Sequence, residues 1–253
     1  MSLIRLCLLT LLPVMGALSL RAQTVDDLNK QADDLVHNLK EEDALQQYKS
    51  VLSLKSDNLH ALIWCSVLSA RIGARQTEKS PQKDYYTQAQ NYASQALQAD
   101  SNSTEANCAM AIAETKLSQI ESGKKRLALY KDIKGFCDKA IHLDKSNYMA
   151  WHVLGDWDYT VSHMSGAEKA GLRIAMSGFP DATIKDAIHS YETCRSLNRN
   201  FIINYLTLAK AYREDDQNEN ALAALQTLVH LPVQTQDDPQ TKEEGRKTLD
   251  AMM

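Results

Sequence analysis

The sequence predicts an all-α fold, an α-solenoid of about five helix–turn–helix units, on three observations. Trp151, Leu154 and Gly155 stand at W-x-x-L-G spacing. Ala187, Tyr191 and Cys194 follow at the spacing of a second helix in the same unit, small residue first and bulky residue four later. Ala221 lies 34 residues after Ala187 and opens another copy of that second pattern. A recurring period of this length marks a repeat architecture, in which each unit leaves an apolar side that only a stacked neighbour can cover.

The spacing has a physical reading. Antiparallel helices need small residues where their axes approach and bulky ones on the flanks. Gly155 permits the approach, while Trp151 and Leu154, three apart, share one helix face. Ala187 supplies the close contact of the second helix, and Tyr191 and Cys194 continue its face. The fifth unit repeats this with Tyr205, Leu208, Ala209 and Tyr212, then Ala221, Leu225 and Leu228. The third carries Asn107, Met110 and Ala111, paired with Ile133, Cys137 and Ala140. The second carries Leu62, Cys65 and Ser66, paired with Ala89, Ala93 and Ala96. At the front, Ala44, Tyr48 and Val51 fit a second helix whose partner starts near Thr24. These patterns resemble tetratricopeptide repeats.

Four segments punctuate the units: Ser56–Asn58, Asp100–Ser103, Asp144–Asn147 and Asn198–Asn200. Asp, Asn and Ser there are expected to cap the next helix. Longer connections interrupt the period. Residues 72–83, with Gly73 and Pro81, read as a solvated loop. Residues 118–130 lengthen both helices around Gly123. The largest insertion, Ser165–Asp181, holds a short helix with Ala167, Ala170, Gly171, Ile174 and Ala175 on one face. Gly178-Phe179-Pro180 would stop that helix, and Asp181 or Thr183 would cap the next. The insertion reads as a flap on the solenoid or as a lid over its groove. Near the end, Asp238-Pro239 starts a helix to about Met252 that covers the apolar end of the stack.

The first 22 residues lie outside this pattern. A basic start, Met1–Arg5, precedes the apolar run Leu6–Leu20, broken by Pro13 and Gly16. This reads as a secretory signal peptide cut after Ala22 or Ser19, with residues 23–253 as the solenoid domain. An uncleaved anchor, the one foreseen membrane contact, is the alternative, although 15 apolar residues are short for a span. The predicted location is therefore outside the cytoplasm, periplasmic or secreted. After cleavage, 26 Lys and Arg face 32 Asp and Glu, which argues against a nucleic-acid partner. Cys65, Cys108, Cys137 and Cys194 remain. Buried thiols are one reading, and export permits a Cys108–Cys137 bridge as another.

The run from Ala150 to Tyr159, the run from Gly178 to Ile188, and Leu231-Pro232-Val233 with Asp237–Pro239 and Lys242–Glu244 resemble the regulator of microtubule dynamics family. The resemblance spans roughly Thr24 to the C-terminus and is most specific beyond Lys139. It implies a non-enzymatic solenoid. Animal members are associated with microtubules, the spindle or organelle contacts, and some with lipid. Chains of this kind with signal peptides look bacterial, which points to the periplasm. Asp156 is a departure, because a basic residue usually precedes Trp157 in the family.

No catalytic, metal or cofactor site is predicted. A G-x-S-x-G elbow and an H-E-x-x-H pair are absent. Ser122–Lys125 lacks the earlier glycine and the hydroxyl residue of a phosphate loop. His152 and Asp156, four apart, suit a hydrogen-bonded pair better than a metal. Asp156 and Asp158 point to different faces. First helices of such solenoids line the concave side, which nominates Glu105, Ile112 and Lys116, then His152, Asp156 and Tyr159, then Lys210, Arg213 and Glu214 as exposed groove residues. Lys210 and Arg213 are three apart and would share one carboxylate. This mixture suits a protein or peptide partner. A lipid or small-molecule carrier, with residues 165–181 as its lid, is the second reading. Trp64 and Trp157 read as packing residues.

Overall fold

The computed structural model describes residues 24–178 and 182–253. The predicted signal peptide and Phe179, Pro180 and Asp181 lie outside the described residues. Twelve helices and no strands occur among the described residues. Five antiparallel pairs form the solenoid: α1 (Val25–His37) with α2 (Glu41–Leu54), α3 (Leu59–Ala74) with α4 (Lys79–Ala99), α5 (Thr104–Ile120) with α6 (Gly123–Leu143), α7 (Tyr148–Ser162) with α9 (Ile184–Leu197), and α10 (Ile202–Glu214) with α11 (Asn218–His230). Two helices stand outside the pairs, α8 (Gly166–Ala175) and α12 (Asp238–Asp250). The all-α solenoid of five units is thus what the chain adopts.

Three of the four turns share one device. Asp100, Asp144 and Asn198 each accept a bond from the backbone N–H two residues on, at 2.8, 2.8 and 3.0 Å. Asn58, Ser103 and Asn147 then cap α3, α5 and α7 by accepting from Ala61, Ala106 and Ala150 N–H groups. The fourth turn differs from expectation. Phe201 occupies the cap position of α10 and makes no side-chain cap bond. Thr24, Ser165 and Thr183 each form a reciprocal capping box with the acidic residue three positions later.

The small residues do what the spacing requires. A Cβ on Gly155 would lie 2.6 Å from the Tyr191 ring, so α7 and α9 meet only because that atom is missing. Gly73 has the same relation to Tyr86 across α3 and α4, at 2.8 Å. This close contact replaces the loop expected over 72–83. α3 continues to Ala74, α4 begins at Lys79, and Pro81 sits in the first turn, where its missing N–H costs nothing. Ala187, Tyr191, Tyr205, Leu208 and Ala221 are buried as their pattern demands. Trp151 and Leu154 are only half-buried. Trp151 donates its ring N–H to the Lys145 carbonyl at 3.0 Å and meets His189 edge-on. Trp157 is the fully buried indole of the unit and donates to the Tyr130 carbonyl at 2.7 Å.

α8 does not bury the face its small residues suggested. Ala167 and Ala170 are exposed and Ile174 is 83% exposed. Leu172 points inward instead, into a cluster with Tyr130, Ile133 and Trp157. Gly171 packs against Leu127 of α6, and Arg126 pairs with Glu168. The four described cysteines are buried thiols without disulfides.

Candidate functional site: a concave chamber closed by the C-terminal helix

α3, α5, α7 and α10 lie side by side as the inner layer of the solenoid. Counting from each cap residue exposes their common face. Val67, Ile112 and Asp156 each stand nine residues after Asn58, Ser103 and Asn147, and Lys210 stands nine after Phe201. All four line the concave space, which comprises two cavities. The larger, about 410 Å³, is floored by apolar groups such as Val67, Ile112, Met149, Val153 and Phe201. The smaller, about 340 Å³, lies toward Tyr159 and Lys210. Thr115, Asp156 and Thr207 line both cavities and form the wall they share.

The roof comes from α12 and the loop before it. Thr235, Asp237, Asp238, Gln240, Thr241 and Glu244 line the larger cavity. Asp237 reaches Arg75, the C-cap residue of α3, at 3.1 Å, and Gln236 donates to the Leu39 carbonyl at 2.5 Å, so the C-terminal segment touches the first two units. Lys210 pairs with Glu244 at 2.7 Å. Asp238 accepts the backbone N–H groups of Gln234 and Thr235, both at 2.7 Å, and holds the loop in shape. Gly245 lets α12 sit against Leu228, and Leu249 joins the core of the fifth unit. α12 therefore covers the end of the stack, as expected, and also turns across the concave face. No described residue of α8 lines either cavity.

The predicted groove residues separate into three groups. Ile112, Lys116, His152 and Asp156 line the larger cavity, and Asp156, Tyr159 and Lys210 the smaller. Glu105, Arg213 and Glu214 line neither; Glu105 stays in the first turn of α5, where the Ser103 hydroxyl donates to it. Glu214 accepts from the Tyr159 hydroxyl and pairs with His163 at 2.7 Å. Lys210 and Arg213 do not share a carboxylate, because Lys210 turns to Glu244. His152 is not exposed; it is 8% accessible and stacks edge-on against Phe201 at 5.0 Å.

A hydrogen-bond chain fixes the wall. The Asn204 amide donates to the Tyr191 carbonyl at 2.9 Å, which turns its oxygen toward His152 Nδ1 at 3.1 Å. The Tyr191 hydroxyl donates to Asp156 Oδ1 at 2.7 Å. Burial and the Asp156 charge hold the Tyr191 phenol well above its ordinary range, so it keeps that proton. His152 Nε2 lies 3.6 Å from Asp156 Oδ2. Asp158, on the opposite face of α7, accepts from Ser190 at 3.1 Å, and burial pushes its carboxyl up to about 7. Burial likewise raises Glu114 to about 7, with Asp132 adding to it.

Sequence reasoning missed Arg71, Arg75, Asp237 and Glu244. Arg71 and Arg75 clamp Glu41, which is 1% accessible, at 3.0 and 2.8 Å. Counting thirteen residues from the Asn58 cap would have placed Arg71 on the concave face beside Lys116, its counterpart from Ser103. Nothing in the local sequence of α12 signals that its loop reaches α3. Among the described residues no three His, Cys, Asp or Glu side chains converge as a metal site would need.

Stacked helix pairs, an inner layer of first helices and a shared concave chamber define a tetratricopeptide-type scaffold. A sequence profile described as regulator of microtubule dynamics protein 1-3 matches residues 28–253, and the chain belongs to that family. It is 25% identical over 228 residues to the mouse regulator of microtubule dynamics protein 1, covering 89% of this chain and 74% of that one. It is 30% identical over 163 residues to the bovine regulator of microtubule dynamics protein 3, covering 64% of this chain and 34% of that longer protein. Its fold matches a tetratricopeptide protein of Thermus thermophilus at a TM-score of 0.64 and 11% identity, covering 90% and 98% of the two chains.

Proposed function

We propose that this chain is an exported, non-enzymatic scaffold that binds a segment of a partner protein or peptide in its concave chamber. One observation carries the reading. The chain's own segment from Thr235 to Glu244 is seated against the concave face by two ion pairs, with a side-chain bond to the Leu39 carbonyl beside them. A face that takes one polypeptide segment has the chemistry to take another. Rigid presentation of a curved surface does the work, with charges setting the orientation of the guest. The basic start and apolar run before residue 23 support export to the periplasm or beyond, away from cytoplasmic tubulin.

Affinity capture tests this. The tagged chain, its Lys116→Glu variant and an Asp237→Ala/Glu244→Ala variant are used as baits on an envelope fraction. A protein held by the parent, lost with Lys116→Glu and enriched with the double variant is the expected result. Equal recovery with all three overturns the scaffold reading. The apolar floor of the larger cavity favours a second reading, a carrier of a small amphiphile or lipid roofed by α12. Lipid extracted from the same captures in equal amounts with every bait, without a protein, would establish that one.

A further inference from the structure

The wall shared by the two cavities, with His152 beside it on the larger, is rich in hydrogen-bond acceptors. The Thr115 hydroxyl donates to the Ala111 carbonyl at 2.8 Å, and the Thr207 hydroxyl to the carbonyls of Ile203 and Asn204 at 3.3 and 3.2 Å. The Thr115 hydrogen is spent on its own helix and that of Thr207 on its own helix and the Tyr191 hydroxyl, which leaves hydroxyl lone pairs as what they offer a guest. Asp156 Oδ1 is taken by Tyr191, which leaves Oδ2. Asn204, whose amide nitrogen is committed to the Tyr191 carbonyl, turns an oxygen to His152 Nδ1, so that nitrogen carries the hydrogen. In the neutral ring, Nε2 is then a bare acceptor, 3.6 Å from Asp156 Oδ2. Two lysines belong to the lining: Lys210 is turned to Glu244, and Lys116 follows Thr115 on the side of the larger cavity.

We propose that this wall binds an alkylammonium group, the end of a lysine side chain contributed by the partner; the inference rests on the scaffold reading above. An ammonium carries three donors and no acceptor, which matches Asp156, His152 and the two threonines. Its positive charge answers Asp156, whose free Oδ2 would repel an anion at this wall. The (CH2)4 stem has apolar surface to lie on, with Ile112, Met149 and Val153 in the adjoining lining. A guanidinium is a poorer fit, because its planar fork suits paired carboxylate oxygens and one of these is already occupied.

The test titrates the whole chain with n-hexylammonium, n-hexanol and hexanoate, followed by NMR shifts of the cavity residues. Hexylammonium should bind at least about tenfold more tightly than hexanol, and hexanoate most weakly. Asp156→Asn, which keeps the acceptor for Tyr191 and the side-chain volume, should remove that tenfold preference and leave hexanol unchanged. Thr115→Val/Thr207→Val should reduce it severalfold and serves as the readout if Asp156→Asn unfolds. In a second arm, acetyl-Ala-Lys-Ala-amide should outbind its norleucine counterpart; equal binding overturns the lysine assignment. Hexanoate binding as well as hexylammonium, or an unaltered preference in Asp156→Asn, overturns the site itself. Protein capture that Lys116→Glu abolishes and Asp156→Asn leaves intact would sink this site and spare the scaffold. Equal capture by every bait sinks the scaffold while the titration still decides the site.

Discussion

α8 and α12 are both extra to the five helix pairs, yet one lies outside the solenoid and the other closes it. α8 is anchored by one buried side chain, Leu172, and by an ion pair at the surface, and it leaves Ile174 to solvent. α12 is anchored at both ends. Gly245 and Leu249 pack on the last unit, while Asp237 and Gln236 reach the first two. Apolar content does not separate them, since α12 is the more polar helix of the two. What matters is whether partners lie across a gap that the helix can span. The C-terminal segment bridges from the last unit to the end of α3, whereas the described contacts of α8 are with α6 and the cluster around Trp157.

That contrast can be broken in graded steps. Arg75→Ala should have the largest effect, about 3 kcal/mol by urea unfolding, because it leaves the buried Glu41 with Arg71 alone and also frees Asp237. Leu172→Ala should cost about 2 kcal/mol, the low end for a buried leucine, because α8 can detach locally. Hydrogen exchange should then rise in α8 and stay slow in α12.

A pH series separates the shared interior from both appended helices. The Asp158 carboxyl is raised to about 7 in the fold, against about 3.9 in an unfolded chain. Its contribution is therefore fully present below pH 4 and is lost as pH rises toward 7, since the unfolded chain releases that proton first. Stability should fall by an amount on the order of 2 kcal/mol per such group between pH 5 and 8. Asp158→Asn should remove roughly half of that slope, with Glu114, raised to about the same value, supplying the rest. Equal slopes in parent and variant would show that Asp158 is ionised in the fold.

Smaller effects sharpen the comparison further. Asp237→Ala should change stability by under about 1 kcal/mol, as for other partly exposed pairs. It should nevertheless speed exchange across residues 234–244. Ile174→Asp should leave stability within about 0.5 kcal/mol. A larger loss would mean that this exposed side chain has a contact the chain's own surface does not provide.

The helix pairs were legible in the sequence because close packing tolerates only small residues at fixed spacing. Gly155, Ala187 and Ala221 are such positions, and each is buried where the pattern put it. The caps were legible because Asn58, Ser103 and Asn147 act within one turn of themselves. The concave face was legible in part. His152 and Asp156 line the chamber, but the burial of His152 depends on Phe201 and Asn204 from the next unit. Arg213 and Glu105 were nominated by helix phase alone, and they fall where the chamber does not extend.

Residue type and period therefore dictated the units, their number and the inner layer, since these arise from contacts between neighbours in sequence. Closure of the chamber, the inward turn of α12 and the acceptor-rich wall were decided by the tertiary structure. They depend on residues such as Arg75 and Asp237, 162 positions apart in the chain. Local patterning carries no trace of a meeting that only the accumulated curvature of five stacked pairs brings about.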